Sequence, residues 1–161
     1  MGALALRSPL PGDYGWVIQR HGALYAEEYG FDISFEALVA RIVADFAQNR
    51  DTARERAWIA VLDGAPVGSV FCVDAGEGVA KLRLLLVDPA ARGRQLGRQL
   101  VEECIAFARA AGYRELTLWT QSQLEAARRI YERTGFELVA QEPPTEQFGT
   151  QQASETWRLV L

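Results

Sequence analysis

The chain has 161 residues, about half of them hydrophobic, with charges spread along its length, which suits one folded domain over residues 1–161 with a core of its own. Its formal net charge of −4 excludes a chain that binds nucleic acid through overall basicity, so any hold on an anion has to be local. Cys72 and Cys104 lie in apolar segments, far from the sole histidine, His21, and at a spacing that fits no zinc pattern; they read as buried thiols in a reducing compartment, and no metal is expected.

The start, "MGALALRSPLPG", lacks a basic segment followed by a long apolar run, and no stretch approaches the roughly 20 apolar residues that span a bilayer; a cytoplasmic location is expected. "ALALR" reads as a short strand stopped by Pro9 and Pro11. Asp13 is placed to cap a helix running to about Tyr29, ended by Gly30. Ser34 is placed to cap a second helix, in which Leu38, Ile42 and Phe46 recur every four residues. "RAWIAVLD" and "APVGSVFCVD" read as a hairpin around "DGAP", and "VAKLRLLLVD" as a third consecutive strand. A helix follows with Leu96, Leu100, Cys104, Phe107 and Ala111 on one face, closed by Gly112. Next come a strand "RELTLWT", a helix "LEAARRIYERTG", a strand "FELVAQE", a loop "PPTEQFGTQQA" and a last strand "SETWRLVL". The order β-α-α-β-β-β-α-β-α-β-β predicts an α/β (α+β) fold: a mixed sheet of about seven strands flanked by helices, with one βαβ unit at its centre.

The join between the third consecutive strand and its helix reads "DPAARGRQLG". A helix N-terminus carries unpaired N–H groups and about half a positive charge, and a turn that aims further N–H groups at the same point makes an anion nest. Arg92, Arg94 and Arg98 add full charges, and Gly93 and Gly97 allow close approach to the backbone. The stretch reads as a pyrophosphate cradle, with an ordinary solvated, arginine-rich helix start as the alternative. It is neither a P-loop nor a dinucleotide fingerprint, since neither glycine pattern is present.

Downstream, "AARRIYERTGF" sets Ala127 and Tyr131 one turn apart on a helix, followed by Gly135 and Phe136. Together the two segments resemble the GNAT superfamily of acyl-CoA N-acyltransferases, whose members carry an Arg/Gln-x-x-Gly-x-Gly/Ala loop for the coenzyme A pyrophosphate and an Asn-x-x-Ala-x-x-Leu-Tyr-x-x-x-Gly-Phe segment. Arg92 and Gly97 match the first; Ala127, Ile130, Tyr131, Gly135 and Phe136 match the second. "RHGALYAEEYG", "AKLRLLLV" and "ETWRLVL" look most like the acetyltransferase half of MarR–GNAT fusion proteins. Two positions depart from the pattern: Gln95 stands where the loop usually has its first glycine, and Leu124 where the second motif often has Asn.

The resemblance implies acetyl-CoA as co-substrate and direct attack of an amine on its thioester. It implies coenzyme contacts from Leu85, Leu86, Val87, Arg92, Gly93, Arg94, Gln95, Leu96, Gly97, Arg98, Ala127, Arg128 and Tyr131, with backbone N–H of residues 84–87 polarising the carbonyl and the Tyr131 hydroxyl protonating the leaving thiolate. A lysine-like amine, with a pKa near 10.4, is neutral in only about one molecule in 2,500 at pH 7, a deficit of about 4.6 kcal/mol that a base or an apolar pocket must offset. The strand Lys81–Val87 carries no acid, so Glu27 and Glu28, beside Tyr29 at the acceptor side, are the candidate bases; His21, nearly two helical turns earlier, is the weaker one. Trp119 and Trp157 read as core aromatics. Strand alternation puts Lys81 and Arg83 on one face with Leu85 and Val87, where Arg83 is placed to grip a carboxylate on the acceptor or, alternatively, both cations pair with acids of the fold. The expected partner is a small-molecule amine, with amino acids among the candidates, no nucleic acid and no membrane, and a terminal strand is free to pair two copies into a homodimer. A CoA-binding regulatory module without turnover, or a protein lysine or N-terminal acetyltransferase, are the alternatives.

Overall fold

The computed structural model describes residues 3–49 and 51–161, so residues 1, 2 and 50 of the expected domain lie outside the described residues. The elements run β1 (Leu4–Arg7), α1 (Asp13–Tyr29), α2 (Ile33–Asn49), β2 (Arg56–Leu62), β3 (Ala65–Gly76), β4 (Val79–Val87), α3 (Leu96–Ala110), β5 (Glu115–Gln121), α4 (Glu125–Arg133), β6 (Glu137–Gln141), β7 (Thr145–Gln147), β8 (Thr150–Gln152) and β9 (Ser154–Val160). Seven strands form one mixed sheet in the order β1-β2-β3-β4-β5-β9-β6. The expected α/β sheet between helices is therefore present. The one addition is β7–β8, a short hairpin within the segment expected to be a loop. It docks on the α1–α2 junction, where Asp32 N–H donates to Phe148 O at 2.9 Å and Phe148 packs on Phe31 and Phe35.

Each sheet face has its own core. Leu96, Leu100, Cys104 and Ala108 of α3 and Tyr131 of α4 pack on Trp58, Val70, Cys72 and Leu116. On the opposite face Val17 of α1 and Val39, Val43 and Phe46 of α2 pack on Ala57, Ile59 and Phe71. The alternation along β2 and β3 that made them legible as strands is thus the division between two cores. Two expected helix caps differ. Asp13 is the first residue of α1, and its carboxylate instead pairs with Arg7 and accepts from Leu10 N–H. Asp32, not Ser34, caps α2: its carboxylate accepts from the Ser34 N–H at 3.0 Å and from the Ser34 hydroxyl.

The feature that positions the site is in β4. Leu84 has φ +54°, and the register with β3 slips there, with Ser69 opposite Leu86 but Phe71 opposite Arg83. This is a β-bulge with one extra residue on β4. It flips the alternation: Ala80 and Leu82 belong to the α3–α4 core, Leu84 to the α1–α2 core, and Leu85 and Val87 to the α3–α4 core again. Lys81 and Arg83 therefore do not share a face with Leu85 and Val87, as uniform alternation predicts. The bulge also steers β4 away from β5. These parallel strands pair only from Val79 to Lys81 against Glu115 to Thr117, and beyond that point they part. The buried Ser69 hydroxyl donates to Leu84 O at 2.8 Å, so the strained residue has its carbonyl anchored by β3. Ser69→Ala leaves that carbonyl without this donor and is expected to cost about 1–2 kcal/mol, seen in calorimetry as a Tm lowered by about 3–6 °C.

Candidate active site

Where β4 and β5 part, two cavities open and meet. One, of about 830 Å³, runs from Tyr25 and Leu85 past Val87 to the turn before α3 and the flank of α4. The other, of about 430 Å³, lies between α1, α2, the start of β4, β5 and α4. Among the described residues, only Tyr25, Leu85 and Ala127 line both.

The first cavity ends at the arginine-rich turn. Asp88 caps a single 3-10 turn, Pro89–Ala91, by accepting from Ala90 N–H at 3.0 Å. After it, six consecutive backbone N–H groups, from Gly93 to Arg98, donate to no acceptor among the described residues. Leu96, Gly97 and Arg98 are the first turn of α3, so their free N–H groups coincide with the positive end of the helix. Gln95 has φ +57°, a left-handed conformation that explains why glycine is usual at this place in the family loop. Gly97 acts differently: a Cβ there would lie 2.6 Å from Ile130 Cδ1, so glycine lets α3 meet α4 without moving that methyl group. The turn is tied to α1 at both ends. Arg20 pairs with Asp88 at 2.9 Å, and Arg92 donates to both Glu28 oxygens at 2.7 Å. The Glu28 carboxylate raises the Arg92 pKa further above its ordinary value. Of the residues expected to hold the coenzyme, only Arg94, Arg128 and Tyr131 do not line this cavity. Arg94 is exposed. Arg128 turns instead to the buried Glu155, at 2.9 Å, whose other oxygen accepts from Gln141. Tyr131 is buried on the second cavity. Ile130 and Arg133, to which the resemblance assigns no coenzyme contact, also line the first cavity.

The acceptor-side expectations are redistributed. Glu28 lines the first cavity, occupied by Arg92, and Tyr29 lies beside it. Glu27 is exposed and lines neither cavity. Lys81 and Arg83 line the second. They do not pair with Glu27 or Glu28, and neither makes an ion pair with a described residue; Asp45 acts on Arg83 only through space. Burial lowers the pKa of both, and Arg83 lowers that of Lys81 further. Trp157 is buried as expected, whereas Trp119 is 42% exposed and forms part of the second cavity's wall. The Tyr131 phenol is pushed well above its ordinary pKa by burial, with Tyr25 and Cys104 adding to it, so the hydroxyl keeps its proton. Tyr25 donates to Leu85 O at 3.4 Å, across the place where the cavities meet. His21 is also on this wall: it is buried, and burial lowers its pKa to about 4.

A cleft lined by a free phenol, unpaired cations and a strand edge on one side, with an anion nest on the other, can hold a long phosphorylated thioester and bring its acyl end to a second molecule. The comparisons agree. The model of the acetyltransferase (GNAT) family matches residues 21–136. The chain belongs to the GNAT acetyltransferase family. It is 35% identical over 78 residues to mycothiol acetyltransferase of Beutenbergia cavernae, which is 48% of this chain and 26% of that one. It is 35% identical over 83 residues to N-acetylaspartate synthetase of Xenopus tropicalis, 51% of this chain and 31% of that one. The chain thus spans only about a third of the length of the curated relatives it matches. In structure it is similar to yncA from Salmonella typhimurium, solved with its cofactor acetyl-CoA, with a TM-score of 0.80 at 19% identity over 98% of this chain and 94% of that one. At that identity the likeness is one of fold. No helix among the described residues is long and apolar enough to cross a membrane.

The Glu28–Arg92 pair separates two roles for Glu28. As a tether it adds a negative charge beside the anion nest, so Glu28→Gln is expected to tighten CoA binding several-fold in calorimetry at low salt and to leave turnover within a few-fold of wild type. A turnover collapse of 10²-fold or more is the result expected of a general base instead.

Proposed function

We propose that the protein is an N-acetyltransferase that moves the acetyl group of acetyl-CoA to the amine of a small molecule carrying a carboxylate, an amino acid being the simplest case. The observation that carries this reading is the pair of cavities meeting at Leu85, one ending in the anion nest and the other holding two unpaired cations. Acetyl-CoA supplies a thioester activated toward amines. The free N–H groups from Gly93 to Arg98, with Arg92, Arg98 and Arg133, hold its pyrophosphate, and Leu85, Leu86, Val87 and Ala127 line the way to the junction. Unpaired backbone of β4 beyond Lys81 offers N–H to the thioester carbonyl. Tyr131 gives its proton to the departing thiolate.

Arg83 and Lys81 set the acceptor class. Two half-buried cations left without a partner are costly unless a ligand supplies the negative charge. They also repel a polyamine and favour the neutral form of a nearby amine. N-acetylaspartate synthetase is named for an amino-acid product, which fits this class. The kinship of "RHGALYAEEYG" and "AKLRLLLV" with the acetyltransferase half of MarR–GNAT fusions rests on those segments and adds no second domain to the reading. A soluble setting, and a homodimer paired through an edge strand, belong to the same proposal.

The test is free CoA released from acetyl-CoA with L-leucine or 3-methylbutylamine, which differ by one carboxylate. Wild type is expected to favour the amino acid in kcat/KM by about 5- to 150-fold, or about 1–3 kcal/mol of charge-assisted bonding, and Arg83→Ala to abolish the preference. Equal use of both by wild type refutes the carboxylate, and CoA binding without release with any amine makes the protein a CoA-binding module. Tyr131→Phe is expected to lower kcat by roughly 10²-fold or more with CoA affinity little changed, since the buried ring remains.

A further inference from the structure

Beyond its cations, the second cavity holds a buried base. His21 is 2% exposed and stands on α1, with its ring stacked on Tyr25 at 5.7 Å and tilted against Phe35 at 6.4 Å. Its Nδ1 lies 2.8 Å from Val17 O. A carbonyl only accepts, so Nδ1 carries the proton and Nε2 of the neutral ring presents a lone pair. Nε2 is buried and has no partner among the described residues. The ring lines the acceptor cavity together with Lys81, Arg83 and Tyr131. A buried acceptor without a donor is costly unless something in the cavity supplies an N–H or O–H.

We infer that His21 Nε2 accepts the N–H of the acceptor amine and takes its proton during attack on the thioester. The inference rests on the transferase reading above and adds to it the residue that handles the amine. As the N–C bond forms and the C–S bond breaks, the amine nitrogen loses one proton to Nε2. The thiolate takes the proton of the Tyr131 hydroxyl, and the imidazolium proton returns to the phenolate through solvent, so both side chains end as they began.

The surroundings suit a transient acceptor of this kind. The charged and titratable groups lining the same cavity are Tyr25 from α1, Lys81 and Arg83 from β4 and Tyr131 from α4, and none is negative at neutral pH. Glu36 of α2 lies against Gly22 and lines a separate surface cavity. Burial thus keeps the ring neutral, against the opposing pull of the Val17 carbonyl, until the attacking nitrogen, made acidic by bond formation, offers its proton.

Because His21 is the only histidine, ring nitrogens labelled with 15N give one pair of signals. In the CoA-bound protein at pH 6 to 8, the Nδ1–H tautomer is expected, with Nε2 unprotonated. Titration with L-leucine is expected to move Nε2 upfield as it gains a donor. In turnover, His21→Phe keeps the stacked ring but loses Nε2 and is expected to lower kcat by about 10²-fold or more at unchanged CoA affinity, while His21→Gln, which keeps an acceptor oxygen, recovers part of it. The opposite tautomer, an Nε2 signal unmoved while amides of β5 respond, or wild-type kcat in His21→Phe each overturns the assignment and leaves the transferase reading standing. If cavity amides and imidazole are silent to every amine and no CoA is released, the transferase reading falls and this inference with it.

Discussion

Two neighbouring strands that stop hydrogen-bonding partway are expensive in the middle of a sheet, because each leaves backbone N–H and C=O groups without their usual partners. Both cavities of this chain depend on that expense. The bulge at Leu84 turns β4 away from β5, and the freed strand edge becomes a junction between two cavities. The fold around it is arranged to hold the gap open. Ser69 anchors the bulge from β3, and Tyr25 reaches from α1 to the Leu85 carbonyl. The two cores keep each wall of the gap attached to its own pair of helices.

Helix α1 is the strut common to both sides. Three of its side chains, Arg20, Tyr25 and Glu28, reach across to β4 and the turn beyond it, so the cradle is fixed by ion pairs to a helix rather than left as a loose loop. The cost is that Arg92 is already engaged. Its guanidinium has donors to spare for an anion, while the carboxylate that orients it stands close to where that anion would sit. The same helix presents His21 to the opposite cavity.

The order of elements was legible because the helices and long strands carry their own periods and α1, α3 and α4 run up to Gly30, Gly112 and Gly135, and the cradle because arginines and glycines fall at a helix start. The bulge was not: "LLL" at 84–86 has no glycine to announce a positive φ, and one extra residue there reversed the faces assigned to Leu85 and Val87 relative to Arg83. Gln95 was visible only as a departure from the family loop, and its left-handed backbone gives the departure a physical meaning. The β7–β8 hairpin hid in a polar segment whose three-residue strands show no alternation. Glu27 and Glu28 stand out in the sequence only through nearness along the chain to Tyr29. The partners that decide the issue come from Arg92, more than sixty residues away, and from β4, β5 and α4 around His21. Spacing along one helix carries no information about what faces it from elsewhere.

Because the two cavities share only Tyr25, Leu85 and Ala127, the molecule is built as a handle and a changeable head. Phe35, Leu38 and Ile42 of α2 and Trp119 of β5 shape the smaller cavity and touch none of the larger. Drift in those four positions alters the shape of the smaller cavity and leaves the larger one untouched. A fold so divided can pass from one acceptor to another over generations without ever losing its hold on the donor.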